Sequence, residues 1–320
     1  MEMEEDIREK VDIRSKDVTD LNFIRDTGRY VFRRHYRQGL RSRIMAVLDA
    51  GDVRVEAEGR MEGGIRVFPR ALPKKMLRIF MSRFKRTSEA LAEARIYKLI
   101  EASLGAGHVA ASSEFIVSYR RDGGRQEILL CGLQDYVAGE ILDPWELERG
   151  ELERGELTGR ESDREKLFRE SSTRGNHLAG LCRSIQAKQG VAGDEALSDL
   201  IERAWSSTED LVSRLKQMIL KTRCIPDLSG IGNLILTNDG DIVLVDINNV
   251  STVIMDDLIR TDDKGYPVCD KSIEVVAILE RRLLERTIDM ANPIYGHFLD
   301  PARMRRVSRL EEEFFKAQRG

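Results

Sequence analysis

The chain has 320 residues, 41% hydrophobic and 33% charged, enough for two domains each with its own core. Its net charge of −3 excludes the basic surplus of a dedicated nucleic-acid binder. No run reaches the roughly 20 apolar residues of a membrane span, and the charged start MEMEEDIREKVDIRSKD has no apolar signal core. Cys131, Cys182, Cys224 and Cys269 are scattered without CxxC spacing, which excludes a zinc pattern and suits reduced thiols in a cytoplasmic protein.

In chain order, residues 1–24 read as a frayed or helical leader. Arg29–Met45 carries Arg33, Arg34, Arg37, Arg41 and Arg43 among Tyr30, Phe32 and Tyr36. Such a stretch can grip phosphate, RNA or an anionic lipid surface. The plainer reading is the solvated face of a strand-then-helix segment. Between 46 and 70, Val53, Val55 and Ala57 alternate ahead of Gly59, Gly63, Gly64 and Ile65–Phe68, which predicts small strands around a glycine-rich turn.

Pro73–Glu101 reads as one or two helices, although Arg78 would lie in a strand if MLRIF were extended. In SEALAEARIYKLIE, Ser88 is a candidate cap, Glu89 sits in the first turn, and Glu93 shares a stripe with Ile96, Tyr97 and Ile100. A carboxylate on an apolar stripe needs a cationic partner, unless it sits at the stripe's edge and reaches water. Two strands follow, Glu114–Tyr119 and Gln126–Cys131, and the second runs into LQDYVAGE at 133–140. The near-repeat ELERGELERGELTGRE, within about 146–166, predicts a charged mobile insertion.

From about 163 to 222 the pattern is helical, with Trp205 and Met218 as core and His177 as packing or surface. Then comes Arg223–Asn249, with apolar runs Leu234–Leu236 and Ile242–Val245 flanking Asn238-Asp239-Gly240, a strong hairpin signal. A loop centred between Asp239 and Gly240 would set Leu236 opposite Val243, Ile235 opposite Leu244, Leu234 opposite Val245, and Asn233 opposite Asp246. With Asp227 folding back, three oxygen-bearing side chains would surround one small space, a seat for a hard cation. An Asp after a buried strand also serves as a plain turn or cap residue. Beyond lie a turn-rich loop, a helix capped by Ser272, and a charged amphipathic helix at 301–318.

The Asp227…Asn233–hairpin–Asp246 segment resembles the catalytic loop and metal-binding segment of the protein-kinase-like superfamily, in the style of bacterial lipopolysaccharide-core and aminoglycoside kinases. The spacing from Asp227 to Asn233 is one residue longer than the family's. Ile225-Pro226 precedes the Asp, and the last motif is Asp246-Ile247-Asn248-Asn249 without a Gly.

The resemblance implies an α+β, two-lobed fold: a small antiparallel β lobe at 25–133 with one main helix near 88–101, a hinge at 134–140, and a mostly helical lobe at 141–320 containing the metal-site hairpin 233–247. It implies ATP and Mg²⁺ as cofactors, with Asp227 accepting the acceptor's hydroxyl proton and Asn233 and Asp246 holding the metal. Arg66 would stand in for the usual strand lysine (Arg78 as fallback) and pair with Glu93 (Glu89 in reserve). Gln134, Asp135, Tyr136 and Val137 would line the adenine site. The expected partners are a nucleotide and a hydroxyl-bearing acceptor such as a saccharide or lipopolysaccharide component. Contact with an anionic surface through Arg33, Arg34 and Arg37 would place the protein in the cytoplasm or peripherally at the inner membrane. The alternatives are an inactive pseudokinase used as a binding module and a membrane- or RNA-binding scaffold built on Arg29–Arg43.

Overall fold

Five antiparallel strands dominate the first part of the chain in a computed structural model, which describes residues 7–8, 14–19, 28–35, 41–120, 126–148, 176–190 and 193–319. The fold is α+β, and it divides into two units. The first holds Met1–Lys98 and Ala110–Tyr136, and the second holds Leu99–Val109 and Val137–Gly320.

In the first unit the sheet order is β1-β2-β5-β7-β6, from β1 (Tyr30–Arg34), β2 (Ser42–Asp49), β5 (Lys75–Phe80), β7 (Gln126–Asp135) and β6 (Ser112–Arg120). The alternation of a strand sends Phe32, Met45, Val47, Leu77, Ile79 and Leu129 to one face, where Ile7 and Val18 join the core. The described parts of the leader are therefore packed into the unit, contrary to the frayed reading. Val18 lies in α1 (Ser15–Thr19), and the almost fully buried Arg8 donates to Glu127 at 2.8 Å. The opposite face packs Ala46 and Leu48 with Ala71, Val53 and Met76. On the same face, Phe80 stacks on Tyr97 of α3 (Thr87–Leu104) with centroids 5.5 Å apart.

Three local expectations fail here. Val53, Val55 and Ala57 lie on α2 (Ala50–Glu58), because the Asp49 carboxylate accepts from the Gly51 amide at 2.8 Å and starts a helix where alternation suggested a strand. Lys75–Phe80 is a strand between β2 and β7, buried on both faces from Leu77 onward. A short continuous apolar run has no period to separate strand from helix. Ser88 lies inside α3, and Glu89 does the capping by accepting from the Lys85 amide at 2.9 Å. Between α2 and β5, β3 (Arg60–Glu62) and β4 (Ile65–Val67) form a separate two-stranded hairpin over Gly63-Gly64.

The second unit is mostly helical. Beyond the segment at 137–148 it contains α4 (Asn176–Gln189), α5 (Asp194–Thr222), α6 (Val268–Arg282), α7 (Pro293–Phe298) and α8 (Pro301–Arg319). The 29-residue α5 buries Leu200, Ala204, Thr208, Leu211, Leu215 and Met218 at three- and four-residue intervals. Trp205 is only half-buried, under the Arg286 guanidinium at 5.6 Å, and His177 is also half-buried. From Val268 to Glu280, α6 is buried apart from Glu274. Its buried charges are matched: Asp270 with Arg303 at 2.5 Å, Lys271 with Glu274 at 2.7 Å and Glu311 at 3.0 Å, and Glu280 with Lys216 at 2.6 Å. That matching offsets the penalty of removing charge from water. The predicted insertion lies outside the described residues from 149 onward. No helix among the described residues is long and apolar enough to cross a membrane.

Candidate functional site

The hairpin of the second unit pairs β10 (Leu234–Thr237) with β11 (Ile242–Leu244), and β8 (Gly139–Ile141) adds a third strand. Its register is Leu234↔Leu244, Ile235↔Val243 and Leu236↔Ile242, one residue away from the predicted pairing. The turn explains the shift. Thr237 donates its amide to Asp241 O at 2.8 Å, and Gly240 takes φ +94°, so Asn238-Asp239-Gly240 form a three-residue loop ending in a left-handed glycine. Asn233 therefore faces Val245, whose amide donates to Asn233 O at 2.8 Å, and Asp246 lies one residue beyond the pair. The hairpin is anchored on α5, where Ser207 Oγ accepts from the Ile242 amide at 2.8 Å. His108 O likewise accepts from the Leu244 amide at 2.8 Å.

A second ladder brings Asp227 to the hairpin. β9 (Cys224–Pro226) pairs with β12 (Val250–Thr252), and the Asp227 amide continues the pairing to Asn249 O at 2.8 Å. Asp227 Oδ1 accepts from the Ser229 amide at 2.9 Å and from Ser229 Oγ at 2.7 Å, while Asn249 Nδ2 donates to Oδ2 at 3.3 Å. Burial raises the proton affinity of this carboxyl above the ordinary aspartate value. The Ser229 and Asn249 bonds oppose that rise, and the negative charge of Asp246 adds to it. Asp227 and Asp246 thus sense each other's charge across the site.

Asn233 closes the cluster. Its Nδ2 donates to Asp227 O at 2.8 Å, which leaves the amide oxygen as its acceptor. A Cβ at Gly230 would lie 2.7 Å from Nδ2 and 2.9 Å from Oδ1, so only glycine lets the loop run this close to Asn233. Asp246 Oδ1 accepts from the Asn248 amide at 3.1 Å. Two carboxylates and an amide oxygen are the hard donors that suit Mg²⁺. Among the described residues, no group of three or more His, Cys, Asp or Glu is arranged to hold a metal; this candidate set depends on its asparagine.

Several residues that support the site escaped the sequence reading. Ser272, expected as a helix cap, lies within α6, and its Oγ accepts from the Leu228 amide at 3.1 Å, tying the Asp227 loop to the core helix. Trp145 Nε1 donates to Ser229 O at 2.9 Å. The Trp145 ring also covers the ammonium of buried Lys271 at 4.1 Å. Tyr266 donates to Glu311 at 2.9 Å. Burial and the nearby Glu311 carboxylate hold its hydroxyl in the protonated form. The Ser two places after Asp227 is a local signal for an Asx-type turn. Asn249, Ser272 and Trp145 reach the loop only through tertiary structure.

The remaining predicted residues fall in the first unit, with one exception. Arg66 is exposed on β4, outside the five-stranded sheet, and makes no ion pair with Glu93 among the described residues. Glu93 instead accepts from Tyr97 Oη at 2.8 Å. Arg78, the fallback, is buried on β5 between Ile44 and Gly132. Glu89 is occupied by the Lys85 amide and Arg86. Gln134 is buried and Asp135 pairs with Lys75, both on β7, while Tyr136 is exposed and Val137 begins the second unit. Of the surface cations, Arg33 is engaged with Glu56 at 2.6 Å, Arg34 lies at the end of β1, and Arg37 is outside the described residues. No family model matches the chain, and no curated protein matches its sequence.

Proposed function

We propose that the chain is a protein-kinase-like phosphotransferase that uses ATP and Mg²⁺ to move a γ-phosphoryl group onto the hydroxyl of an unidentified acceptor. The observation that carries this reading is the convergence of Asp227, Asn233 and Asp246 on one loop cluster, held by Asn249, Ser229 and Ser272. Phosphoryl transfer needs positioning and charge neutralisation more than covalent chemistry. Asp227, with its raised proton affinity, is suited to accept the acceptor's hydroxyl proton. Asn233 Oδ1 and the Asp246 carboxylate would hold Mg²⁺, which when bound neutralises the phosphate oxygens.

The first unit supplies further support. Its third sheet strand in sequence, β5, leads into its main helix α3. The strand carries buried Arg78 and the helix carries Glu93. Arg78 is therefore a better candidate phosphate-steadying cation than Arg66, and Gln134, Asp135, Tyr136 and Val137 remain the proposed adenine contacts.

The pseudokinase reading draws on one specific observation: both Asp227 oxygens are already held by neighbours. Hydrolysis of γ-labelled ATP with Mg²⁺, in wild type and Asp227→Asn, decides between the two. The enzyme reading expects a loss of about 10²–10⁴-fold in the variant. ATP that binds but turns over no faster in wild type than in Asp227→Asn would select the pseudokinase.

A further inference from the structure

One face of the five-stranded sheet contains a cavity of about 570 Å³, unrelated to the loop cluster of the second unit. That volume falls in the range of roughly 300–1,000 Å³ usual for small-molecule sites. Its floor is apolar and comes from five strands: Phe32, Val47, Leu77, Phe115 and Leu133. These are alternate residues of one sheet face, which is closed elsewhere by Ile7 and Val18.

Among the described residues, the polar lining is confined to one end. Arg29 precedes β1, Asp49 ends β2, and Lys74 and Lys75 open β5. The strand register brings these termini together: Tyr30 lies opposite Asp49 and Val47 opposite Lys75. The cavity thus has direction, with a charged mouth at the strand ends and an apolar run along the sheet. Asp49, its acidic member, is occupied in capping the Gly51 amide. Lys74 pairs with Asp52 at 3.0 Å and Lys75 with Asp135, both on exposed side chains, and such pairs exchange partners at little cost. Arg29 has no carboxylate partner among the described residues; its guanidinium lies 5.4 Å from the centre of the Tyr30 ring.

We infer that this cavity binds a single-chain anionic amphiphile, its tail along Val47, Leu77 and Leu133 and its carboxylate or phosphate head at Arg29, Lys74 and Lys75. A neutral apolar molecule would leave the cationic mouth unused, and a compact anion would leave the floor empty. The separation of the two surfaces favours a ligand with both parts.

The test is titration calorimetry on the full chain, below micelle-forming concentrations, with decanoate, dodecanoate, dodecyl phosphate and 1-dodecanol. The expected result is one saturable site, tightening by about fourfold per added methylene, with both anions bound more tightly than the alcohol. Dodecanoate ahead of dodecyl phosphate would assign a fatty-acid-like head, and the reverse a phosphate head. Arg29→Glu, at an exposed residue with no ion pair among the described residues, should weaken dodecanoate by about tenfold or more and leave dodecanol unchanged. Leu133→Trp should fill the cavity and abolish both. Absence of saturable binding by any probe, equal affinity for alcohol and anion, or an Arg29→Glu variant that binds dodecanoate like wild type would each overturn the inference.

Discussion

The hairpins β3–β4 and β10–β11 are both short strand pairs closed by a glycine-bearing turn, yet their surroundings differ completely. In β3–β4 the two-residue turn Gly63-Gly64 takes φ +55° and +86°, the strands pair with no other described strand, and Ile65 is 70% exposed. In β10–β11 Leu234, Leu236, Ile242 and Leu244 are buried, a third strand joins, and α5 supports the outer edge. Turn chemistry sets the register of a hairpin, but burial decides whether its ends can hold side chains in place. Asn233 and Asp246 lie at the ends of the buried hairpin. Arg66 lies on the exposed one, which is why a phosphate-steadying role suits it poorly.

The largest expected contrast comes from truncating each hairpin. Leu236→Ala should destabilise the protein by about 2–5 kcal/mol through a cavity in the core. Ile65→Ala should change stability by less than about 0.5 kcal/mol. Chemical denaturation measures both, and equal losses would break the comparison.

The turns give a smaller contrast. Gly240→Ala forces a side chain into φ +94°, with its Cβ 3.1 Å from Arg203 Cβ and 3.2 Å from Leu200 O. It should cost about 1–3 kcal/mol. Gly63→Ala has nothing within 4 Å, so only the left-handed backbone counts against it, roughly 1–2 kcal/mol. Gly63→Asn should recover most of that loss, since Asn tolerates this region.

A third effect depends on pH. Asp227 has a folded-state proton affinity above its unfolded value. Its favourable contribution is complete below the unfolded pKa and is lost as pH rises through the folded one. Asp227→Asn keeps an oxygen for the Ser229 bonds and removes the buried charge. It should therefore favour the folded state more at pH 8 than at pH 4, set against the loss of the Asn249 bond to Oδ2. Urea melts at the two pH values check the sign; a larger gain at pH 4 would contradict it.

Much of this arrangement was legible in the sequence. The strands at 114–119 and 126–131, the helix from 88 onward and the two apolar runs of the buried hairpin all declare themselves by period and turn residues. The register does not, because Asn238-Asp239-Gly240 after a short apolar run suggests a two-residue turn, whereas Gly240 closes a three-residue one. MLRIF did not, because a strand buried on both faces has no period. The orientation of Asp227 did not, because it depends on β9 meeting β12 some 25 residues later in the chain (Ile225↔Ser251). Asn249 stood in view beside Asp246, but nothing local marks an asparagine as the partner of a carboxylate 22 residues earlier. Partners brought together by tertiary pairing lie beyond what spacing along the chain reveals.

The central claim is that Asp227, Asn233 and Asp246 form a metal-assisted nucleotide site. The most direct test is a thermal-shift titration with ATP, with and without Mg²⁺, on wild type and Asp246→Ala. A ligand bound only by the folded state stabilises it by about 2.7 kcal/mol at a hundredfold excess over its Kd. The account predicts a rise of several degrees in wild type that requires Mg²⁺ and is absent in Asp246→Ala. A rise that is independent of Mg²⁺, or that survives Asp246→Ala, would contradict it.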